Sequence, residues 1–256
     1  MVRISSAVAS HPGLRREENE DSYCVRPDLG LYLVADGMGG HAAGEVASRL
    51  AAEVVETFIE DTHTIDANRT WPFPYERALG PEANRLKAAV RLANRRIAAA
   101  MERDEALRGM ATTIAALLVG PDGLVVAHVG DSRVYRSRGG ELSQVTHDHS
   151  WVSEQVRAGS MTEADARQHP WRNVVTRALA GGEDPEIDVA DVVVATGDVL
   201  LICSDGLSGM VSNDSMQRIL DTEPSLEKAC EVMIAAANAA GGPDNITVAL
   251  LKINVE

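Results

Sequence analysis

Short apolar stretches separated by polar turns open the chain, and two long segments with helical periodicity follow. Val2–Ser10 and Asp21–Arg26 read as strands around a polar turn rich in Arg, Glu and Asn. Gly30–Ala35 is an apolar strand that runs into Asp36-Gly37-Met38-Gly39-Gly40-His41. From about Gly44, Val46, Leu50, Val54 and Phe58 recur every four residues, with Ala47, Ala51, Val55 and Ile59 beside them. That spacing predicts a helix with one wide apolar face. Asp61–Gly80 breaks the pattern, because the prolines of Trp71-Pro72-Phe73-Pro74-Tyr75 block a helix. A loop pinned to the body by its aromatics is favoured there over a binding loop. Pro81–Arg103 predicts a second helix, with Pro81 in its first turn and Leu86, Val90, Ala93, Ile97 and Met101 on its buried face.

A dense β region comes next: Met110–Val119, Gly123–Val129, Arg133–Ser137 and Glu141–Val145. The Pro121-Asp122-Gly123 and Gly139-Gly140 turns punctuate it as hairpins. Ser150–Ala180 is irregular, helical, polar and rich in Arg, and reads as a lid-like excursion. Ile187–Ala195 and Asp198–Ser204 return as strands, Ser225–Ala240 as a helix and Ile246–Ile253 as a last strand. Without regular βαβ alternation the pattern predicts an antiparallel α+β layered fold. No repeat or linker divides the chain, so one domain over residues 1–256 is expected.

Composition narrows the function classes. Apolar and charged shares of 45% and 24% exclude a disordered, collagen-like or coiled-coil chain. Acidic residues outnumber basic ones 38 to 24, a net charge of −14. That argues against a nucleic-acid partner, whose phosphates need Lys and Arg, and against an anionic membrane surface. Cys24, Cys203 and Cys230 are far apart and form no CxxC pair, so neither a disulfide framework nor a cysteine zinc site is suggested. The N-terminus lacks the apolar core of a signal peptide, and no stretch approaches the ~20 apolar residues of a membrane span. A cytoplasmic location is the expectation.

The candidate chemistry lies in Asp residues at strand ends. Strand Leu31–Ala35 ends in Asp36-Gly37, Val199–Ser204 ends in Asp205-Gly206, and Asp244-Asn245 opens Ile246–Leu251. A fourth case is Gly130-Asp131-Ser132-Arg133. Singly, Asp-Gly is a common turn. Together, rigidly held carboxylates suggest a site for a hard cation such as Mg²⁺ or Mn²⁺. Gly37 lets its own carbonyl approach such an ion. Arg16, just before Glu17-Glu18-Asn19-Glu20-Asp21, can grip a phosphate through two parallel hydrogen bonds. Metal carboxylates beside an anion-binding Arg suggest phosphoryl transfer to water.

In this order, Arg16-x-x-Asn19-Glu20-Asp21, Asp36-Gly37-Met38-Gly39-Gly40-His41, Gly109-Met110-Ala111-Thr112-Thr113, Gly130-Asp131-Ser132-Arg133, Asp148-His149-Ser150, Ser204-Asp205-Gly206-Leu207 and Asp244-Asn245-Ile246-Thr247 resemble the metal-dependent protein phosphatases, or protein phosphatase 2C family. The compact bacterial members are the most similar in flavour. The resemblance implies a four-layer α/β/β/α sandwich of two antiparallel sheets flanked by helix pairs, with a flap at about 150–180. It implies hydrolysis of phosphoserine and phosphothreonine in proteins by a water or hydroxide bridging two Mg²⁺ or Mn²⁺ ions. Asp36 would bridge the ions and the Gly37 carbonyl would ligate the second. Asp205 and Asp244 would hold the first, and Asp21 would act near the second through water. Asp131 with Asp205 matches a third-metal site, and Arg16 the phosphate-binding Arg.

Two departures stand out. Many eukaryotic members carry a His directly after Asp-Gly, read as the general acid, where this chain has Met38. His41 is the nearest substitute, with His147, His149 or a metal-bound water as alternatives. Ala111 stands where relatives often have Gly. A catalytically silent regulatory binding module would have lost Asp36, Asp205 or Asp244, and all three are present. A nucleic-acid phosphodiesterase conflicts with the acidic charge. The expected partners are phosphorylated proteins and, by analogy, a Ser/Thr kinase or its targets, met by a monomer. Arg157, Arg167, Arg172 and Arg177 of the flap could meet acidic substrates, although a solvated helix face is the more economical reading.

Overall fold

In the computed structural model, which describes residues 2–40, 43–63, 72–121 and 123–255, the helices and most strands lie where periodicity places them. Strands β1 (Val2–His11), β2 (Asp21–Arg26) and β3 (Leu31–Met38) precede helices α1 (Ala43–Asp61) and α2 (Pro81–Arg103). Then come β4 (Ala111–Thr112), β5 (Ile114–Gly120), β6 (Gly123–Val129), β7 (Arg133–Arg138) and β8 (Glu141–Gln144). Two short helices, α3 (Trp151–Arg157) and α4 (Glu163–Gln168), form the predicted excursion, each opened by a hydroxyl cap from Ser150 or Thr162. β9 (Asp188–Val192), β10 (Val199–Cys203), α5 (Asp205–Ser208), α6 (Asn213–Thr222), α7 (Leu226–Ala239) and β11 (Ile246–Val255) complete the order.

Two sheets stack, one ordered β1-β11-β10-β7-β8 and the other β2-β3-β5-β6-β9 with β4 joined to β3. Every strand pairing is antiparallel. Alternation along the strands builds three apolar layers. On β3, Leu31, Leu33 and Ala35 face α1 and α2, whereas Tyr32 and Val34 face the other sheet. On β10, Leu201 and Cys203 face α7, and Leu200 and Ile202 face inward. Strands buried on both faces read as unbroken apolar runs, as β3 and β10 do. The result is the α/β/β/α sandwich that the resemblance implies.

Three details depart from the periodicity reading. The deepest stripe of α1 is Ala47, Ala51, Val55 and Ile59, while Val46, Leu50, Val54 and Phe58 flank it half-buried. Small residues at the centre of the contact let α1 lie close to α2 and β3. The expected strand Met110–Val119 is broken at Thr113, between β4 and β5. Helices α5 and α6 were not anticipated. In the aromatic loop Phe73 is buried, with the Arg95 guanidinium 4.2 Å from its ring centroid. That contact pins the loop as expected. Trp71 and Asp122 lie outside the described residues.

Candidate metal centre

The alternation that builds the layer between the sheets also builds the site. Continuing the inward positions Tyr32 and Val34 along β3 reaches Asp36, and Asp21 of β2 stands directly opposite Asp36 in the register. Cross-strand partners share a face, so both carboxyl groups point between the sheets. The facing sheet behaves alike. Leu200 and Ile202 lead to Ser204, and Leu251 and Ala249 lead back to Thr247, both buried. At this end of the sandwich the inter-sheet layer turns from apolar to polar.

Hydroxyl groups brace the two acids. Ser204 Oγ donates to Asp21 Oδ2 at 2.8 Å and accepts the Thr247 N–H at 3.0 Å. Thr113 Oγ1 accepts the Asp36 N–H at 3.1 Å and lies 2.7 Å from Ser132 Oγ. The strand break at Thr113 therefore serves the site. Asn245 pins the Arg16-bearing loop to the start of β11. Its Oδ1 accepts the Glu20 N–H at 2.7 Å, and its Nδ2 donates to the carbonyls of Pro12 and Glu18 at 3.0 and 2.9 Å. The Glu20 carboxyl lies against Gly44 in the first turn of α1. Ser204, Thr247, Thr113, Ser132 and Asn245 carried no role in the sequence reading. The period-two pattern, followed one step past each apolar run, would have found the first four.

Asp131 and Asp205, far away in sequence, join this pair. Asp21 and Asp131 are buried, and Asp36, Asp205 and Asp244 are half-buried. Burial, followed by the charges of Asp21, Asp205, Asp131 and Asp244, holds the Asp36 carboxyl well above its usual range. Burial pushes Asp21 up to about 7, against hydrogen bonds from Thr247 and Ser204 that favour its charged form. Burial and the Asp205 charge push Asp131 up to about 7. Asp205 is raised by burial and by Asp244, and a hydrogen bond with Asp36 works the other way. At the rim, Arg16 donates to Asp244 Oδ2 at 2.9 Å. His41 lies outside the described residues.

These residues fit a hard divalent cation. Asp21 Oδ1 is buried and has no hydrogen-bond partner. An ionised oxygen in that position is costly unless a cation meets it. The donors are carboxylates, the type that Mg²⁺ and Mn²⁺ prefer. A Cβ on Gly37 would overlap the carbonyl oxygens of Gly44 and Glu20. Only glycine lets β3 run so close to the start of α1.

Comparison with known proteins agrees with this geometry. A family model described as Protein phosphatase 2C matches residues 15–248. The serine/threonine phosphatase stp of Listeria welshimeri is 37% identical over 249 residues, covering 95% of this chain and 93% of that protein. The chain belongs to the protein phosphatase 2C family. The solved structure of the Mycobacterium tuberculosis serine/threonine phosphatase PstP/Ppp superposes with a TM-score of 0.85 at 37% identity, covering 100% of both chains. A structure of the PstP catalytic domain in complex with two manganese ions gives 0.83 at 36% identity, again over 100% of both chains.

Within this protein phosphatase 2C site two expectations about side chains change. His149 is fully buried with both ring nitrogens facing protein atoms, so it is not placed to protonate a leaving group. His147 is exposed and offers its carbonyl to His128 Nε2 at 2.8 Å. Of the flap arginines, Arg157, Arg167 and Arg172 are exposed, as a solvated face requires. Arg177 is tied to Glu186 at 3.0 Å and Asp188 at 3.3 Å.

The crowded acids predict a pH signature for the metal-free phosphatase. Asp131 binds its proton up to about pH 7 when folded, against about 3.9 in an unfolded chain. Between those values the folded state holds more protons, so this group's contribution falls as pH rises through that window. Asp131→Asn removes the titration. Differential scanning calorimetry between pH 5 and 7.5 is expected to show a flatter fall of Tm for the variant than for the wild type. Parallel curves would contradict the assignment.

Proposed function

We propose that this chain hydrolyses phosphoserine and phosphothreonine in proteins, with Mg²⁺ or Mn²⁺ held by the buried carboxylates. The observation that carries this reading is the convergence of Asp21, Asp36, Asp131 and Asp205 at one end of the inter-sheet layer, with an Asp21 oxygen left without a partner. Asp36 and the Gly37 carbonyl, with Asp21, Asp205 and Asp244, would hold two ions. Asp131 with Asp205 would hold a third. The manganese-bound PstP structure and the name of the Listeria relative support the reading. When bound, such ions supply a nucleophilic water at neutral pH and positive charge for the phosphoryl oxygens.

The chain's own residues orient and bind. Hydroxyl braces fix Asp21 and the Asp36 backbone before substrate arrives, so little reorganisation accompanies reaction. Arg16 stands at the rim, where its fork can exchange Asp244 for a phosphate group. This matters in a chain of net charge −14, which otherwise repels a phosphoprotein. Cys24, Cys203 and Cys230 are buried, and burial pushes each thiol up to about 12. None serves as a nucleophile, and transfer goes to water without a phosphoenzyme. His41 is the proposed general acid.

The setting belongs to the same proposal: one domain over residues 1–256 with its flap at about 150–180, a monomer in the cytoplasm, and phosphoproteins made by a Ser/Thr kinase as substrates. No described helix is long and apolar enough to cross a membrane. Release of phosphate from a phosphothreonine peptide is expected with Mn²⁺ and lost with chelator, and chelator-resistant release would refute the reading. Arg16→Ala is expected to raise KM for the peptide about tenfold or more, the value of a hydrogen bond to a charged group, with a smaller fall in kcat. An unchanged KM and unchanged inhibition by free phosphate would remove Arg16 from this role.

A further inference from the structure

The loop Gly130–Arg133, which carries Asp131, is held at both ends by two adjacent residues that precede the flap. Arg133 donates to Asp148 through Nε at 2.9 Å and through its terminal nitrogen at 2.6 Å. His149 takes the other end. Its N–H donates to the Gly130 carbonyl at 2.9 Å, and its ring Nδ1 accepts the Gly130 N–H at 3.1 Å. Gly130 adopts φ +110°, and a Cβ there would sit 2.6 Å from the Thr113 side chain, so the loop has little latitude. The carbonyl of His149 accepts the Thr176 N–H at 2.8 Å, and the next residue, Ser150, bridges to Val175 across the base of the flap. One fully buried residue thus joins the Asp131 loop to both ends of the flap.

A main-chain N–H can only donate, so Nδ1 of His149 carries the lone pair and Nε2 the proton. Nε2 lies 3.3 Å from Asp188 Oδ2, and the ring stacks on His128 at 4.5 Å between centroids. His128, His149 and Asp188 offer ligand atoms within 4.8 Å of one another. The protonated Nε2 and the Arg177 guanidinium 3.4 Å from it face that space, which argues against a cation there. The arrangement orients a ring; it does not open a coordination site.

We infer that His149 is a positioning residue: through its Nδ1 bond to Gly130 it fixes the backbone that aims Asp131 and couples that aim to the flap. The inference rests on the assignment of Asp131 to a third ion, and its test separates the two. In the metal-free wild type, NMR of ¹⁵N-labelled histidine is expected to show His149 as the Nε2–H tautomer. The Nδ1–H tautomer would overturn the inference without any variant. His149→Asn keeps an acceptor near the Nδ1 position, whereas His149→Gln reaches only the Nε2 position. Hydrogen exchange of the 129–133 segment is expected to quicken about tenfold in His149→Gln and little in His149→Asn. The weakest class of Mn²⁺ sites is expected to weaken 10–100-fold in His149→Gln alone, as loss of a ligand-orienting contact does. Equal exchange in the two variants would reduce His149 to packing. If Asp131→Ala leaves every Mn²⁺ class unchanged, the third-ion assignment fails, and exchange and tautomer alone decide the positioning role.

Discussion

Asp36→Asn is expected to lower turnover by roughly 10³-fold or more in a protein that remains folded. Burial of Asp36, followed by the charges of Asp21, Asp205, Asp131 and Asp244 around it, raises its pKa. An amide cannot neutralise a divalent ion, and several kcal/mol of charge stabilisation is worth about three decades of rate. The apolar layers are untouched by the change. Removing one of several crowded carboxylates also relieves repulsion in the metal-free state. The melting temperature without metal is therefore expected to stay level or rise while activity disappears. Steady-state kinetics beside calorimetry checks both halves. Near-normal Mn²⁺-dependent turnover would remove Asp36 from the centre.

Gly37→Ala is expected to fail in the opposite way, through the backbone. Its methyl group would overlap the carbonyl oxygens of Gly44 and Glu20, which belong to α1 and to the loop before β2. Neither oxygen can rotate away as a side-chain tip can. Overpacking of this kind costs about 3 kcal/mol or more, roughly 6–12 °C in Tm for a chain of this size. Activity falls with stability, because the displaced segments carry Glu20 and flank Asp36. A variant with wild-type Tm and rate would show that the close approach is not needed.

Both predictions rest on features that were unequally visible in the sequence. The acids were legible because each lies at one end of a strand, and their joint order carried the family resemblance. Helix α2 was legible to its ends, because Pro81 marks the start and the four-residue spacing persists to Met101. The centre of the α1 stripe was not, because hydrophobicity weights Val and Leu above Ala, whereas close packing selects the smaller residue. Helix α5 was hidden because Asp205-Gly206 reads as a turn, yet Ser204 stands at its N-cap and Asp205 in its first turn. Helix α6 was legible and went unread: Met216, Ile219 and Leu220 recur at helical spacing and pack on the core below α7, behind a Ser212 cap, but the stripe spans little more than one turn. The split of the expected strand at Thr113 was invisible because its cause is tertiary: the hydroxyl must reach the Asp36 N–H and Ser132. His149 was considered only as an acid, because nothing local tells a ring that titrates in solvent from one locked against Gly130.

The claim that the buried carboxylates exist to hold divalent ions is tested most directly by calorimetric titration of the metal-free protein with Mn²⁺, beside Asp36→Asn. Two tight ions per wild-type chain are expected, the number in the PstP structure, with loss of tight binding in the variant. A wild type that binds no Mn²⁺, or a variant that binds the same number equally tightly, would contradict that claim.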